Sequence, residues 1–236
     1  MCGPTGPAHR LERVSLLQLP EPAPAQVRIL TVCTGNICRS PVAERLLQAG
    51  LDQAVPGGFV VTSAGTRAMV GEPIQAPSAD IVRAFGGNAG GFAARQLTSR
   101  ILRGVDLVLT MTAGHRGEVL QLDASLLKRT FTIREFARML DVLDDRAATS
   151  PGTPGTPGTP NAMHDGGDRL AANAAFWRGL PGRAAAVRHL SLPSDSSEDD
   201  IIDPYRRGLD IYHQMEDELA PAIVSILRHA RLNAPA

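Results

Sequence analysis

The stretch from Ile29 to Pro41 reads ILTVCTGNICRSP, and it decides the fold. Apolar residues lead up to Cys33, a short loop containing Gly35 and Asn36 follows, and the proline opens a helical pattern. Where a strand passes through a tight loop into a helix, the loop amides converge on one point and the helix dipole favours negative charge there. The stretch therefore predicts a strand–loop–helix unit that binds an oxyanion.

Two side chains give this loop its chemistry. Cys33 lies at the mouth of the predicted anion site, where the surroundings favour a thiolate, and a thiolate beside a phosphate is a nucleophile for phosphorus. Arg39 is spaced to curl back over the site with a planar fork of donors that fits phosphate oxygens. The alternative is a strand-end cysteine that only packs in a core. Gly35, Ser40 and Pro41 favour the catalytic interpretation, since they suit a tight turn, a helix cap and a first helical turn.

The run CTGNICRSP from Cys33 to Pro41, followed by Ala43 and Glu44, resembles the signature loop of the low-molecular-weight protein tyrosine phosphatases. The resemblance implies a cysteinyl-phosphate mechanism that uses neither metal nor cofactor. It also implies the Rossmann-like, three-layer α/β fold of that family, with a four-stranded parallel sheet flanked by helices. A general acid is then expected in an Asp-Pro loop near the C-terminus.

The hydrophobic pattern of the rest of the chain agrees with this fold class. Strand-like runs alternate with helical patterns, which is typical of a parallel sheet covered by helices. Strands are predicted at 27–33, 59–63, 105–110 and 130–133, and helices at 41–48, 76–85, 113–121 and 134–143. We expect Gly50 to end the first helix, Leu209 to open the core face of the last helix, and Pro221 to kink or break it.

Residues 26–236 are interpreted as one phosphatase domain behind a disordered N-terminal tail, 1–25, which is rich in Pro and Ala and lacks periodicity. An insert at about 144–200 precedes the expected acid loop. Its Pro-Gly-Thr repeats at 151–160 predict a linker, because such a tract cannot pack a core. Trp177 is expected to anchor the insert on the body of the domain, and a substrate lid is the alternative role for the insert.

Asp203, Pro204 and Tyr205 resemble the acid loop of the family, since they lie between the last predicted strand and the last predicted helix. A carboxylic acid held over the pocket can protonate an aryloxide leaving group, and the Tyr205 ring offers a face to an aromatic substrate. The alternative is an ordinary Asp-Pro turn. Asp199 and Asp200 are rival carboxylates, although neither has the Pro-Tyr context.

The phosphate is expected to be held by Arg39 and the backbone amides of residues 34–39, while Ser40 steadies the sulfur as a leaving group. The predicted substrate- and phosphate-binding residues are Thr34, Gly35, Asn36, Ile37, Cys38, Ser40 and Tyr205. The resemblance implies that Ser63 supports the loop through a hydrogen bond to Asn36. An ordinary turn serine is the alternative for Ser63.

The three cysteines, Cys2, Cys33 and Cys38, do not make a disulfide framework. The resemblance implies a reversible Cys33–Cys38 disulfide that protects the nucleophile from over-oxidation, with structural filler as the alternative role for Cys38. A free catalytic thiol suits a reducing compartment. Because the sequence also shows no apolar signal segment and no run of membrane-spanning length, a cytoplasmic protein is predicted.

Composition narrows the classes of partner. The chain has 24 Lys and Arg against 24 Asp and Glu, so its formal net charge is zero and no long-range field favours nucleic acid or a membrane surface. Its six histidines show no metal-ligand spacing, and all of them, His115 included, are expected to lie at the surface or to cap helices. The expected partner is a phosphorylated protein, without cofactor or metal. The sequence does not indicate an oligomeric state.

Phosphotyrosine is the predicted substrate, because an apolar Ile37 beside Tyr205 suits an aromatic ring. The segment Thr130–Glu135, TFTIRE, is similar to bacterial members that act on phosphoarginine, but those members carry Thr at the position of Ile37. Protein-arginine phosphatase is one alternative, and a small-thiol-dependent arsenate reductase of the same fold is another. A thioredoxin-coupled reductase needs further cysteines downstream of Cys38, where the sequence has none. A phosphoprotein-binding pseudo-enzyme would lack the nucleophile or the acid, and both are present.

Overall fold

A computed structural model describes residues 26–149 and 166–235 of the chain. The predicted tail, 1–25, and the predicted linker, 151–160, lie outside the described residues.

The four strands form one parallel sheet in the order β2-β1-β3-β4. The strands are β1 Val27–Cys33, β2 Phe59–Gly65, β3 Leu107–Thr110 and β4 Thr130–Thr132. The helices are α1 Arg39–Ala54, α2 Ala76–Ala84, α3 Ser99–Leu102, α4 Ala113–Leu122, α5 Ile133–Thr149, α6 Gly166–Val187 and α7 Leu209–Leu232. This architecture confirms the predicted α/β class with a four-stranded parallel sheet.

Helices cover both faces of the sheet, so the molecule has three layers. Successive residues of β1 point to opposite faces: Val27 and Ile29 belong to a large core with α1, α5, α6 and α7, whereas Leu30 and Val32 belong to a smaller core with α3 and α4. A strand that is buried on both faces has a continuous apolar sequence, which is why β1 and β3 are recognisable without a structure.

The position of β1 in the sheet determines where a ligand can bind. β1 lies between β2 and β3, so the connection from β1 to β2 and the connection from β2 to β3 lead to opposite sides of β1. In parallel sheets a crevice opens at the carboxyl end of the strand where the strand order reverses in this way. Cys33 is the last residue of β1, in register with Gly65 at the end of β2. The fold therefore places Cys33 at the expected ligand crevice.

The predicted end of the first helix at Gly50 is wrong. α1 continues to Ala54, and Gly50 is buried inside it. A Cβ atom at Gly50 would lie 2.4 Å from Cδ1 of Leu227 on α7. The glycine thus permits a close approach of α1 to α7, a role that depends on a partner far away in the sequence.

The last helix also differs from its prediction. α7 runs without a break from Leu209 to Leu232, with Pro221 inside it. Leu209 does not belong to the core face, since it is 65% exposed, whereas Tyr212, Leu219 and other residues further along the helix are buried. Leu209 stands in the first turn, ahead of the part of the helix that packs on the core.

The insert extends the large core of the domain. α5 continues past the predicted boundary at 143 to Thr149, and the described part of the insert contains one long helix, α6, with Pro181 inside it. Trp177 of α6 is buried and packs edge-to-face on Phe59 of β2, with ring centroids 5.0 Å apart. The expectation that Trp177 anchors this segment on the body is confirmed.

The close contact at Gly50 predicts a measurable difference between two Gly→Ala variants. Gly50→Ala forces Leu227 to move, and overpacking of this kind costs about 1–3 kcal/mol, while Gly117→Ala on the exposed side of α4 meets no atom within 4 Å and gains helix propensity. In chemical denaturation, the free energy of unfolding of Gly50→Ala should be lower than that of Gly117→Ala by about 1–3 kcal/mol. Equal stabilities would show that the α1–α7 contact tolerates a methyl group.

Candidate active site

A pocket of about 130 Å³ opens at the carboxyl end of β1. Its walls bring together the three residues that the sequence singled out as reactive: Cys33, Arg39 and Asp203. The other lining residues are Thr34, Gly35, Ile37, Cys38, Arg67, Met69 and Tyr205. Residues from the two ends of the chain therefore meet around one small concave site.

The Cys33 loop (residues 33–39) has a conformation that depends on Asn36. Asn36 is fully buried and takes a left-handed conformation, φ 55°, which Asn tolerates better than most residues. Its backbone amide donates to Cys33 Sγ at 3.3 Å. The turn at Asn36 thus directs a backbone donor at the sulfur.

Hydrogen bonds from three directions fix the Asn36 side chain. Its Nδ2 donates to Ser40 Oγ at 3.0 Å and to Ser63 Oγ at 2.8 Å, and its Oδ1 accepts from the backbone amide of Arg95 at 2.8 Å. The Ser63–Asn36 hydrogen bond expected from the sequence is present. Both ends of the amide are satisfied, which makes this buried polar group stabilising rather than costly.

The network runs from the sulfur to a carboxylate. Ser40 Oγ lies 2.9 Å from Cys33 Sγ, and Ser63 Oγ donates to Glu44 Oε2 at 2.5 Å. Ser40 is not the helix cap that the sequence suggested: α1 begins at Arg39, and the Ser40 hydroxyl faces the sulfur instead. The Glu44 side chain is only 13% exposed, because Ser63 holds it against the sheet.

A second segment lines the pocket beside the Cys33 loop. The amides of Thr66, Arg67 and Met69 donate to the carbonyls of residues 33, 34 and 35 at 2.9–3.0 Å, so the two segments run side by side. A Cβ atom on Gly65 would lie 2.4 Å from the Thr34 carbonyl oxygen, so a glycine is needed for this approach. The pairing places Arg67 and Met69 on the pocket wall.

Arg39 is buried, and its guanidinium is held from two sides. Nη1 donates to the Ile201 carbonyl at 3.0 Å, and Nη2 lies 2.6 Å from Asp203 Oδ2. Nη2 also donates to Thr34 Oγ1 at 3.4 Å. Nε is buried and has no hydrogen-bond partner among the described residues. Arg39 as a whole belongs to the pocket lining.

Asp203 is the only one of three neighbouring carboxylates that lines the pocket within the described chain. Its side chain is 44% exposed, and its Oδ1 accepts from the Tyr205 amide at 3.2 Å, which stiffens the turn. The rivals are engaged elsewhere: Asp199 pairs with Arg138, and Asp200 Oδ1 accepts from the Ala113 amide at 2.7 Å. The contacts favour Asp203 over both as a proton donor.

His115 does not lie at the surface: it is buried against the Cys33 loop, at the capped start of α4. Its Nε2 lies 2.8 Å from Thr34 Oγ1, and its Nδ1 lies 2.8 Å from Oγ1 of Thr112, the residue that caps α4. Burial, assisted by the nearby Arg39 charge, lowers the pKa of His115 to about 4. A neutral imidazole therefore connects α4 to the loop. The sequence signal was the spacing of Thr112 and His115, which is that of a capped first turn.

His229 is a second histidine that the structure buries, where the sequence predicted a surface or helix-capping position. Its Nδ1 lies 2.6 Å from Asp144 Oδ1, in the contact between α7 and α5. Neither histidine belongs to a metal site: among residues 26–149 and 166–235, no group of three or more His, Cys, Asp and Glu side chains is arranged to hold a metal ion.

The two cysteines of the loop have different environments. Cys38 is buried, which raises the pKa of its thiol to about 11, and its sulfur lies 3.9 Å from the Tyr212 hydroxyl. Cys38 is therefore a neutral thiol at neutral pH. Both cysteines are reduced in the structure, and the reversible disulfide between Cys33 and Cys38 stays a prediction.

The depressed pKa of His115 predicts a pH dependence of stability. Between the ordinary value of 6.5 and about 4, the unfolded chain binds a proton that the folded chain does not. The resulting stabilisation is complete above pH 6.5 and is lost as the pH falls towards 4, by about 1.4 kcal/mol for each pH unit between the two values. His115→Gln should flatten this part of the pH–stability curve in denaturant titrations.

The exposed His213 provides the control for that experiment, because His213→Gln removes an imidazole of α7 without disturbing the pocket. A His115→Gln curve that runs parallel to the wild-type curve between pH 6.5 and 4 would contradict the burial of a neutral imidazole at this position.

Within the described parts of the chain, none of the helices combines the length and the apolar character that crossing a membrane requires.

Two proteins of similar sequence are both named as low molecular weight protein-tyrosine-phosphatases. The low molecular weight protein-tyrosine-phosphatase Etp of Escherichia coli K12 is 36% identical over 116 residues, which is 49% of this chain and 75% of that protein. The probable low molecular weight protein-tyrosine-phosphatase AmsI of Erwinia amylovora is 34% identical over 116 residues, 49% of this chain and 77% of that protein.

Solved structures agree in fold. The low molecular weight protein tyrosine phosphatase from T. tengcongensis superposes with a TM-score of 0.55 at 22% identity, covering 86% of this chain and 99% of that one. The YwlE arginine phosphatase from Geobacillus stearothermophilus superposes with a TM-score of 0.54 at 24% identity, covering 86% and 91%. At such identities the likeness establishes the fold alone.

The family model described as low molecular weight phosphotyrosine protein phosphatase matches residues 28–147. The match begins in β1, includes the whole Cys33 loop and ends within α5, so Asp203 and α7 lie beyond it. Because it spans half of the chain, and because the loop, the sheet order and the sequence relatives agree, this chain belongs to the low molecular weight phosphotyrosine protein phosphatase family.

Proposed function

We propose that this protein hydrolyses phosphotyrosine in phosphorylated proteins through a cysteinyl-phosphate intermediate, without metal or cofactor. The observation that carries the proposal is the meeting of Cys33, Arg39 and Asp203 in one pocket, with the backbone amide of Asn36 directed at the sulfur. These are the parts that phosphoryl transfer to sulfur requires: a nucleophile, donors for the equatorial oxygens, and an acid.

In the first step, the Cys33 thiolate attacks phosphorus. The S–P bond forms while the ester P–O bond breaks, and Asp203 gives its proton to the departing oxygen. Arg39 and the amides of the Cys33 loop hold the three equatorial oxygens as their charge increases. Since Asp203 Oδ2 contacts Arg39 Nη2 at 2.6 Å, the acid already stands next to the group that binds the phosphate.

In the second step, the Asp203 carboxylate takes a proton from water, and the oxygen attacks phosphorus. The S–P bond breaks and the electron pair returns to sulfur. Ser40 Oγ, 2.9 Å from that sulfur, donates a hydrogen bond to the thiolate that leaves. The bond from Asn36 Nδ2 holds Ser40 Oγ in place for this purpose.

The pocket wall supports an aromatic substrate. Met69 and Tyr205 contribute partly exposed apolar surface to the pocket lining, which also includes the almost fully buried Ile37, and a phenyl ring packs favourably against such groups. Thr130–Glu135, which is similar to a segment of phosphoarginine phosphatases, forms β4 and the start of α5 and contributes nothing to the pocket lining. The similarity of this segment therefore does not favour phosphoarginine as the substrate. Arginine phosphatase activity is the second candidate function because the chain shares its fold with the YwlE arginine phosphatase.

We also propose that residues 26–236 act as a single domain in the cytoplasm. The packing of α6 into the large core through Trp177 supports one domain, and no residue of α6 lines the pocket, which argues against a substrate lid in the described part of the insert. A nucleophilic thiol that must stay reduced supports a reducing compartment.

Cys33→Ser should reduce the hydrolysis of p-nitrophenyl phosphate by about 10⁴-fold or more, because a serine hydroxyl is not ionised at neutral pH and no other group can take its place. The assay is run in EDTA to exclude an added metal. Cys38→Ser is the matched control and should keep most of the activity, because the buried Cys38 thiol is neutral. Substantial turnover by Cys33→Ser would refute the nucleophile.

Peptides carrying phosphotyrosine or phosphoarginine should be distinguished by kcat/KM, with the tyrosine peptide preferred by at least about tenfold, as expected from one well-filled apolar contact. Ile37→Thr should narrow that preference, because it replaces a methyl-lined wall of the pocket with a hydroxyl. A wild-type preference for phosphoarginine would replace the proposed substrate with the second candidate.

A further inference from the structure

The chain reaches Asp203 through the 191–202 segment, which α5 holds at several points. Arg138 donates through Nε to the Ser191 carbonyl at 3.1 Å and pairs through Nη2 with Asp199. A single α5 side chain therefore ties both ends of the turn that leads into Asp203. Asp199 closes a short 3-10 turn, 196–199, whose capping box makes it a compact unit.

The next residues carry the connection to the pocket. Arg134, one turn before Arg138 on α5, donates to the Asp200 carbonyl at 3.3 Å. The Ile201 amide then donates to the Met111 carbonyl at 2.8 Å, and the Ile201 carbonyl accepts from Arg39 Nη1 at 3.0 Å. The arginines of α5 thus act at one end of a short stretch of chain whose other end is fixed by Arg39.

The Arg138 contact is more than a surface ion pair. The side chains of Arg138 and Asp199 are 29% and 18% exposed, and the guanidinium makes a backbone hydrogen bond as well as the ion pair. Exposed pairs contribute little because water screens them and two long side chains must be ordered. A partly buried arginine that bonds two points of one loop restricts the backbone directly.

We propose that Arg138, assisted by Arg134, is a positioning residue for the general acid. The two arginines fix the 191–202 segment on α5, and this placement sets the Asp203 carboxylate beside Arg39 and over the pocket. The inference rests on the proposed role of Asp203. It gives the start of α5, which contributes no residue to the pocket lining, a part in proton transfer.

The test compares kcat/KM for two aryl phosphates, because this ratio reports the step in which the ester bond breaks. Phenyl phosphate has a basic leaving group that needs a proton, whereas the leaving group of p-nitrophenyl phosphate is much less basic. Arg138→Gln should lower kcat/KM for phenyl phosphate roughly tenfold to a hundredfold, as for a displaced catalytic group, and lower that for p-nitrophenyl phosphate several times less. A purely structural role would lower both alike.

Arg228→Gln is the matched control. Arg228 of α7 pairs with Asp141 on the same helix α5 at 2.7 Å, but it contacts neither the 191–202 segment nor the pocket. This variant should leave both kcat/KM values close to those of the wild type. Asp199→Asn removes the other partner of the Arg138 pair, should reproduce the selective loss on phenyl phosphate, and decides the question if Arg138→Gln does not fold.

Asp203→Asn tests the proposed acid itself, separately from the proposed positioning role of Arg138. Loss of the acid itself should lower kcat/KM for phenyl phosphate by about 10²–10⁴-fold. If Asp203→Asn shows this selective loss while Arg138→Gln and Asp199→Asn behave like Arg228→Gln, the positioning role is overturned and the proposed function stands. If Asp203→Asn shows no selective loss, Asp203 is not the acid, and the positioning role falls with it, independently of the result for Cys33→Ser.

Discussion

The buried, left-handed Asn36 is the constraint on which the site depends. A left-handed conformation is unfavourable for most residues with a side chain, and it persists where the surroundings over-determine it. Here Ser40, Ser63 and the Arg95 amide bond both ends of the Asn36 amide group. The turn that results aims the Asn36 backbone N–H at the Cys33 sulfur. If this network were released, the donors around the sulfur would lose their common focus.

The site joins segments that are far apart in the sequence. β1 ends at Cys33, and Ser63 lies near the end of β2. His115 belongs to the first turn of α4, and the 191–202 segment brings the Ile201 carbonyl, and Asp203 directly after it, to Arg39. A parallel sheet makes this possible because all of its strands end at the same edge. Asp200 adds a further link, since it bonds the first turn of α4 through the Ala113 amide. The Cys33 loop and the segment that leads to Asp203 therefore share one scaffold.

The sequence predicts those features that are encoded by neighbouring residues. The Cys33 loop and the strands follow from short local patterns, and Asp203 stands out because Pro204 and Tyr205 accompany it. The predicted helix end at Gly50 is wrong, and His115 is buried rather than exposed, because the roles of these residues depend on distant partners. Gly50 accommodates Leu227, and His115 meets Thr34 at a separation of 81 residues.

The match to the family covers only part of the chain. The family match ends within α5, so α6 and the segment leading to Asp203 lie beyond it. Composition alone does not indicate that Trp177 packs on Phe59, or that Arg138 holds Asp199, because such contacts are selected by shape and not by periodicity. The contacts that escape prediction are those between segments far apart in the sequence that no motif connects.

The ion pair between Arg39 and Asp203 affects how a partner protein approaches. Both cations that line the pocket in the described chain have a carboxylate within 4.0 Å, Arg39 with Asp203 and Arg67 with Glu118, and the whole chain has no formal net charge. The mouth therefore presents little uncompensated field beyond about 10 Å, the screening distance of ordinary saline. Binding of a partner protein then depends on short-range contacts and not on long-range electrostatic steering, so the association rate constant should vary only weakly with ionic strength.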